Sequence, residues 1–299
     1  MTEPTSPRLL GRSGIVLSDM GWGMWRLAGA VAPARALCEA AIEAGFTLFD
    51  TADIYGFGAE GFGAAEALLG RVFAEDPSLR ARVVLATKGG ITPPVPYDSS
   101  PAYLSAALDA SLKRLQVDQV DLYQIHRPDI LAHPQEAART LENAVAAGKV
   151  REVGVSNFTV AQIEALQHFL PFPLASTQPE LSPVFIAPID DGQMDQAMRL
   201  DLAVLAWSPL GGGRLATGQG RDGREAAVIA ALDAVAAAHG VDRGAAALAW
   251  VMAHPARPIP LIGSQDPARI KAAAAARQVR LTRTQWYAVF AAARGTPLP

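Results

Sequence analysis

Hydrophobic and polar positions along the chain alternate between two kinds of segment. Short runs rich in β-branched and apolar residues predict strands at Asp19–Trp22, Thr47–Asp50, Val83–Thr87, Leu122–His126, Glu152–Ser156, Leu174–Gln178, Ala203–Trp207 and Ile259–Ile262. Between them, amphipathic or Ala-rich stretches predict helices at Ala34–Ala44, Ala64–Phe73, Pro101–Leu115, Pro134–Ala147, Val160–Leu166, Gly192–Leu200 and Glu225–His239, then Arg243–His254 and Asp266–Arg277. Strands that alternate with helices pair in parallel. Eight such strands predict a closed (β/α)₈ barrel, whereas a doubly wound sheet needs about six strands and a division into halves.

Two elements fall outside this repeat. Leu9–Leu17 reads as a hairpin whose turn is bracketed by Gly11 and Gly14, placed as a plug over the N-terminal end of the barrel. Thr282–Arg294 reads as an extra C-terminal helix capped by Thr282. No linker or low-complexity stretch divides the chain, so residues 1–7 are expected as a flexible tail and 8–299 as one domain.

Composition narrows the function. A net charge of −3 supplies no broad positive field for nucleic acid. The single Cys38 excludes a disulfide framework and any cysteine-based zinc site, and no other metal constellation is visible. No apolar run reaches the roughly 18 residues of a membrane span, and residues 1–7 do not resemble a signal peptide. The expectation is a cytoplasmic protein, monomeric or weakly homo-oligomeric.

Barrel chemistry sits at the C-terminal ends of the strands. Three successive strands deliver Asp50, Lys88 and His126 there, and Tyr55 follows Asp50 on the same loop. Each alone has an ordinary structural explanation, but neighbouring strands lie about 4.8 Å apart, so the four can meet. A Lys ammonium lowers the pKa of a nearby phenol toward the working range. The Asp50 carboxylate opposes loss of the Lys88 proton, and a neutral His126 can orient a carbonyl oxygen toward Tyr55. This suits protonation of a carbonyl oxygen, and with no metal set in view the attacking group is a nicotinamide hydride.

The motifs FDTADIYG, ATKGG, DLYQIHRPD, GVSNF, AWSPLGGG and IGSQDPARI, in this order, resemble the aldo-keto reductase superfamily from about Arg8 to Arg294. AWSPLGGGRL with IHRPD is most similar to its bacterial reductases of undefined substrate. The resemblance implies that Tyr55 is the general acid/base, completed by Asp50, Lys88 and His126. It implies that Ser156, Asn157 and Gln178 hold the nicotinamide carboxamide and that Trp207 stacks on the ring. Ser208, Leu210 and Gly212 match the loop around the pyrophosphate, and Gly23 and Met24 match the first cofactor loop. At the adenosine end, Gly263, Ser264, Gln265 and Arg269 stand where the family grips a 2′-phosphate. Ser264 and Arg269 match a phosphate site, so NADP(H) is the expected cofactor; Gln265 replaces a frequent cation and Ala273 a frequent Asn, which leaves NAD(H) as an alternative. Trp25 and Phe57 are expected at the mouth of an apolar pocket for an aldehyde or ketone.

Gly56-Phe-Gly58-Ala-Glu-Gly61 also matches the G-x-G-x-x-G dinucleotide pattern. That pattern needs an acid about 20 residues on, ending a second strand, and Ala74–Ser78 reads instead as a loop. The glycines are expected as a flexible lip beside the substrate mouth. Two further functions share parts of these features. One is a cofactor-sensing regulatory subunit like the β-subunits of potassium channels, and the other is a lyase working through a Schiff base on Lys88.

Overall fold

The computed structural model describes residues 8–296; the expected tail, residues 1–7, lies outside them. A two-stranded antiparallel hairpin, β1 (Arg8–Leu9) and β2 (Val16–Leu17), comes first. Eight strands follow: β3 (Gly21–Gly23), β4 (Leu48–Asp50), β5 (Val84–Gly89), β6 (Val120–Ile125), β7 (Val150–Ser156), β8 (Ser176–Gln178), β9 (Ala203–Ala206) and β10 (Ile259–Ile262). Each pairs in parallel with the next, and β10 closes on β3, giving the expected (β/α)₈ barrel.

The period-two alternation of the strands sorts the core into two layers. Phe49, Leu85, Tyr123 and Val155 face the surrounding helices. Leu48, Ala86, Leu122, Ala203, Leu205, Ile259 and Leu261 pack together inside the barrel with Leu10, Ile15 and Leu17 of the hairpin. The hairpin therefore plugs the N-terminal end, as expected. Gly11 is required there: its φ is +56°, and a Cβ would lie 2.7 Å from the Ala175 Cα. Two residues further along the same inward faces come Asp50, Lys88 and Gln124, so the barrel interior changes from apolar at the plugged end to polar at the open end.

Several boundaries differ from expectation. β3 begins at Gly21, and Asp19, two residues before it, is held by Arg277, whose Nε and Nη2 donate to its carboxylate at 3.0 and 2.7 Å. β8 begins at Ser176, since the Leu174 N–H donates to the Gln167 side chain and leaves the ladder. The stretch expected as one helix at Asp266–Arg277 divides into an α-helix, Pro267–Ala272, and a 3₁₀ segment, Ala273–Gln278. An unexpected short helix, Pro77–Ala81, is capped by Asp76 with Pro77 in its first turn. The C-terminal helix Arg283–Arg294 carries a capping box from Thr282 and Gln285. It docks through stacked Trp250 and Trp286 rings, 4.9 Å apart.

Candidate active site

The floor of the open end is a buried ion pair. Lys88, fully buried on β5, donates to Asp50 Oδ2 at 2.7 Å and to the Thr51 carbonyl at 2.7 Å. The other carboxylate oxygen, Asp50 Oδ1, accepts from Gln178 Nε2 at 2.9 Å. Burial, the strongest influence on Lys88, pulls its pKa down, but the Asp50 charge and Tyr55 outweigh it and the net direction is up. Lys88 is thus held as an ammonium, without the lone pair that a Schiff-base lyase needs.

Tyr55 stands on a turn after β4. The Tyr55 N–H donates to Ala52, and the Asp53 N–H donates to the Lys88 carbonyl at 3.0 Å, strapping the turn to β5. The turn closes at Gly56, where φ is +103° and a Cβ would meet the Gly61 carbonyl oxygen at 2.5 Å. The Lys88 ammonium lies 5.1 Å from the centroid of the Tyr55 ring, and the His126 ring sits edge-on to it at 5.8 Å. Asp50, Tyr55, Lys88 and His126 therefore do meet. One electrostatic expectation is corrected: burial pushes the Tyr55 phenol up more than Lys88 pulls it down, with Asp50 adding to the rise, so the net direction is upward. Tyr55 is a protonated phenol, a weaker acid than expected, whose proton is in place at neutral pH. His126 is held well below the ordinary histidine range, by burial first and then by Lys88 and Arg127. It is a neutral imidazole, and its buried Nδ1 has no partner among the described residues.

A second network continues from this floor. Ser156 Oγ donates to the Gln178 carbonyl at 2.9 Å. Asn157, in the left-handed region at φ +61°, donates through Nδ2 to Ser156 Oγ and to the His126 carbonyl, and its Oδ1 accepts from Trp207 Nε1 at 2.9 Å. Asn157 thus spends its amide inside the protein, orienting Trp207. Trp207 is half-buried and bridged in parallel to Glu180. Beyond it, Gly212 N–H donates to Ser208 Oγ at 3.0 Å, and Gly211–Gly213, all at positive φ, form a tight side-chain-free loop with Leu210 before it.

At the far end, Gly23 ends β3 and Gly263 directly follows the neighbouring β10, and a Cβ at Gly263 would touch the Trp25 ring at 3.6 Å. Met24 is fully buried, and its N–H donates to the Asp50 carbonyl. Ser264 Oγ accepts from the Asp266 N–H, and Gln265 Nε2 turns back to the Ser264 carbonyl. Arg269 projects into solvent, 81% exposed, with only a long 3.5 Å contact to Asp266. An aromatic plate, a hydroxyl–amide cluster, a glycine loop and an exposed cation stand on the strand ends and loops of the open end. These residues fit a nicotinamide dinucleotide: Trp207, Ser156 and Gln178 would hold the nicotinamide, the Ser208–Gly213 loop the pyrophosphate, and Ser264 with Arg269 the adenosine end. Among the described residues no cluster of His, Cys, Asp and Glu could hold a metal, and no helix is long and apolar enough to cross a membrane.

Trp25 and Phe57 are both more than half exposed on loops beside the mouth. The Gly56–Gly61 loop is no phosphate cradle, because it follows a barrel strand and its Glu60 carboxylate accepts from the Gly29 N–H at 3.0 Å. It joins two loops of the rim. Two features escaped the sequence reading. Arg127 places its guanidinium 5.8 Å from the Trp207 ring centroid, and its position directly after His126 was the available signal. Asp53 and Glu66, both buried, gather with the half-buried Arg114 behind Tyr55, a cluster of ionisable groups that only the third dimension assembles.

Comparison with known proteins agrees with this architecture. The aldo/keto reductase family model matches residues 19–293. A 6-dehydroglucose reductase of Novosphingobium aromaticivorans is 59% identical over 99% of this chain and 98% of its own. The oxidoreductase YdhF of Escherichia coli is 38% identical over 93% of this chain and 94% of its own. Among solved structures, a glycerol dehydrogenase from Gluconobacter oxydans superposes with a TM-score of 0.86 at 28% identity, covering 100% of this chain and 98% of its own. The chain belongs to the aldo/keto reductase family and is an NAD(P)H-dependent carbonyl oxidoreductase.

Proposed function

We propose that this enzyme reduces the aldehyde of a sugar-like, polyhydroxylated substrate with NADP(H), Tyr55 acting as general acid/base. The observation that carries the reading is the placement of Tyr55 between the Lys88 ammonium and the neutral His126. When bound, the nicotinamide supplies the hydride. The protein's residues do the rest. His126 directs a hydrogen bond to the carbonyl oxygen, and Tyr55 donates its proton there as negative charge develops. Lys88 stabilises the resulting phenolate, and Asp50 keeps Lys88 charged throughout. In alcohol oxidation the phenolate takes the proton back.

The substrate class rests on the 59% identical relative named 6-dehydroglucose reductase. Arg127 and Glu180 support it, since a half-buried cation and a half-buried carboxylate beside Trp207 can donate to and accept from substrate hydroxyls. The preference for NADP(H) rests on Ser264 and the exposed guanidinium of Arg269.

The test is NADPH consumption, followed by absorbance, with a hexose carrying an aldehyde at C6, with glyceraldehyde and with 4-nitrobenzaldehyde. The hexose aldehyde is expected to give the highest kcat/KM. A higher value for 4-nitrobenzaldehyde would refute the substrate class, and no consumption with any carbonyl would refute carbonyl reduction.

A further inference from the structure

Behind the Tyr55 turn lies a buried acid for which the proton transfer described above has no use. Asp53 is fully buried. Its Oδ1 has no hydrogen-bond partner among the described residues, and Oδ2 lies 3.3 Å from the Tyr103 hydroxyl. That hydroxyl is also 3.2 Å from the Ile91 carbonyl oxygen, which can only accept. Tyr103 has one hydrogen. If it goes to Ile91, the bond between Tyr103 and Asp53 needs a proton on Asp53.

The charges around Asp53 point the same way. Glu66, fully buried on the helix Ala64–Glu75, takes the one cation at hand: Arg114 of the helix Pro101–Leu115 donates to it through Nε at 2.8 Å. Thr87 of β5 also donates to Glu66. Tyr123 of β6, which stays a neutral phenol, faces the same cluster, and Asp98 of the loop after β5 adds negative charge near Tyr103. Lys88, whose carbonyl accepts the Asp53 N–H, turns its ammonium away to Asp50 and Thr51. Asp53 therefore shares its pocket with a carboxylate whose counter-ion is already engaged.

We propose that Asp53 is a positioning residue that works as the neutral acid, donating to Tyr103 and so clamping the Tyr55 turn to the helix Pro101–Leu115 and to the Ile91 loop. Ionisation removes the proton that Asp53 donates, so Tyr103 turns its one hydrogen from the Ile91 carbonyl to the carboxylate, and the clamp to the Ile91 loop gives way. The turn carrying Tyr55 then loses its fixed distance from Lys88 and His126, and turnover falls. The proposal rests on the reading of Tyr55 as the general acid. Burial, followed by the Glu66 charge, pushes the Asp53 carboxyl up to about 7, so the clamp closes below that pH and opens above it.

The test is the pH profile of kcat/KM for wild type and Asp53→Asn, with NADPH and 4-nitrobenzaldehyde. Wild type is expected to lose activity about tenfold per pH unit above the Asp53 ionisation. Asp53→Asn, a neutral side chain that also donates to Tyr103, is expected to stay within about threefold of wild type at low pH and to lack the alkaline limb up to about pH 9. Loss of activity through stability alone would lower both profiles without moving the limb. In parallel, difference infrared spectroscopy of wild type should show a protonated carboxyl that disappears as that limb develops. The infrared measurement decides the matter even if Asp53→Asn does not fold. An unchanged limb in Asp53→Asn, or no protonated carboxyl below the limb, would overturn the proposal and leave carbonyl reduction standing. A wild type without reductase activity on 4-nitrobenzaldehyde, glyceraldehyde and the hexose aldehyde alike would overturn the Tyr55 reading as well.

Discussion

Gln178 donates its amide to Asp50 Oδ1 at 2.9 Å while Lys88 holds Oδ2 at 2.7 Å. The residue expected to touch the nicotinamide and the residue expected to tune the general acid are thus joined through one buried carboxylate. Gln178→Leu should strip Asp50 of a neutral donor, costing about 1–3 kcal/mol of stability. It should also weaken cofactor binding and lower kcat. Denaturant unfolding together with a cofactor titration checks both effects, and a variant that lost neither would show that the contact is incidental.

The Lys88–Asp50 pair should be worth more intact than broken. Lys88→Met leaves a buried carboxylate without its counter-ion, a loss of about 3–5 kcal/mol. The double variant Asp50→Asn, Lys88→Met should recover most of that stability while remaining inactive. Unfolding free energies of the two variants test this, because a double variant no more stable than Lys88→Met would place the cost elsewhere.

His126 gives a pH dependence whose sign is fixed. Its folded-state pKa lies well below the ordinary 6.5, so the unfolded chain binds the proton more readily. The stability gained by keeping it neutral is complete above that ordinary value and is lost as pH falls below it. Wild type should therefore lose more stability than His126→Gln between about pH 7.5 and about pH 5. Asp53 acts in the opposite sense, its contribution being present at low pH and lost as pH rises through about 7. The wild-type-minus-variant difference isolates the histidine, and parallel curves would contradict its burial as the neutral form.

Arg269 is the one strongly exposed cation among the residues expected at the adenosine end. Arg269→Ala should raise the Kd for NADPH about tenfold, in line with loss of a charge-assisted hydrogen bond, while leaving NADH binding within error. Equal loss for both cofactors would move the 2′-phosphate site away from Ser264 and Arg269.

Much of this was legible in the sequence because the barrel converts linear order into position. The period-two strands ending in Asp50, Lys88 and His126 put those residues on the inward face at the open end, and FDTADIYG puts Tyr55 on the loop beside them. What was not legible depended on contacts distant in sequence. Asp19, outside β3, pairs with Arg277, 258 positions away. Asp53 acquires its character from Glu66 and Arg114 on two different helices. The direction of the Tyr55 shift required knowing how deeply the phenol is buried, since burial and Lys88 act in opposite senses. Asp76-Pro77 carried an N-terminal helix signal, but the helix it starts is only five residues long.

The central claim is that Tyr55 supplies the proton. The most direct test is Tyr55→Phe, assayed for turnover of the hexose aldehyde and for NADPH binding by quenching of Trp207 fluorescence. The account predicts that kcat falls by about 10²–10⁴-fold, while the NADPH Kd stays near the wild-type value. Near-normal kcat in Tyr55→Phe would contradict it.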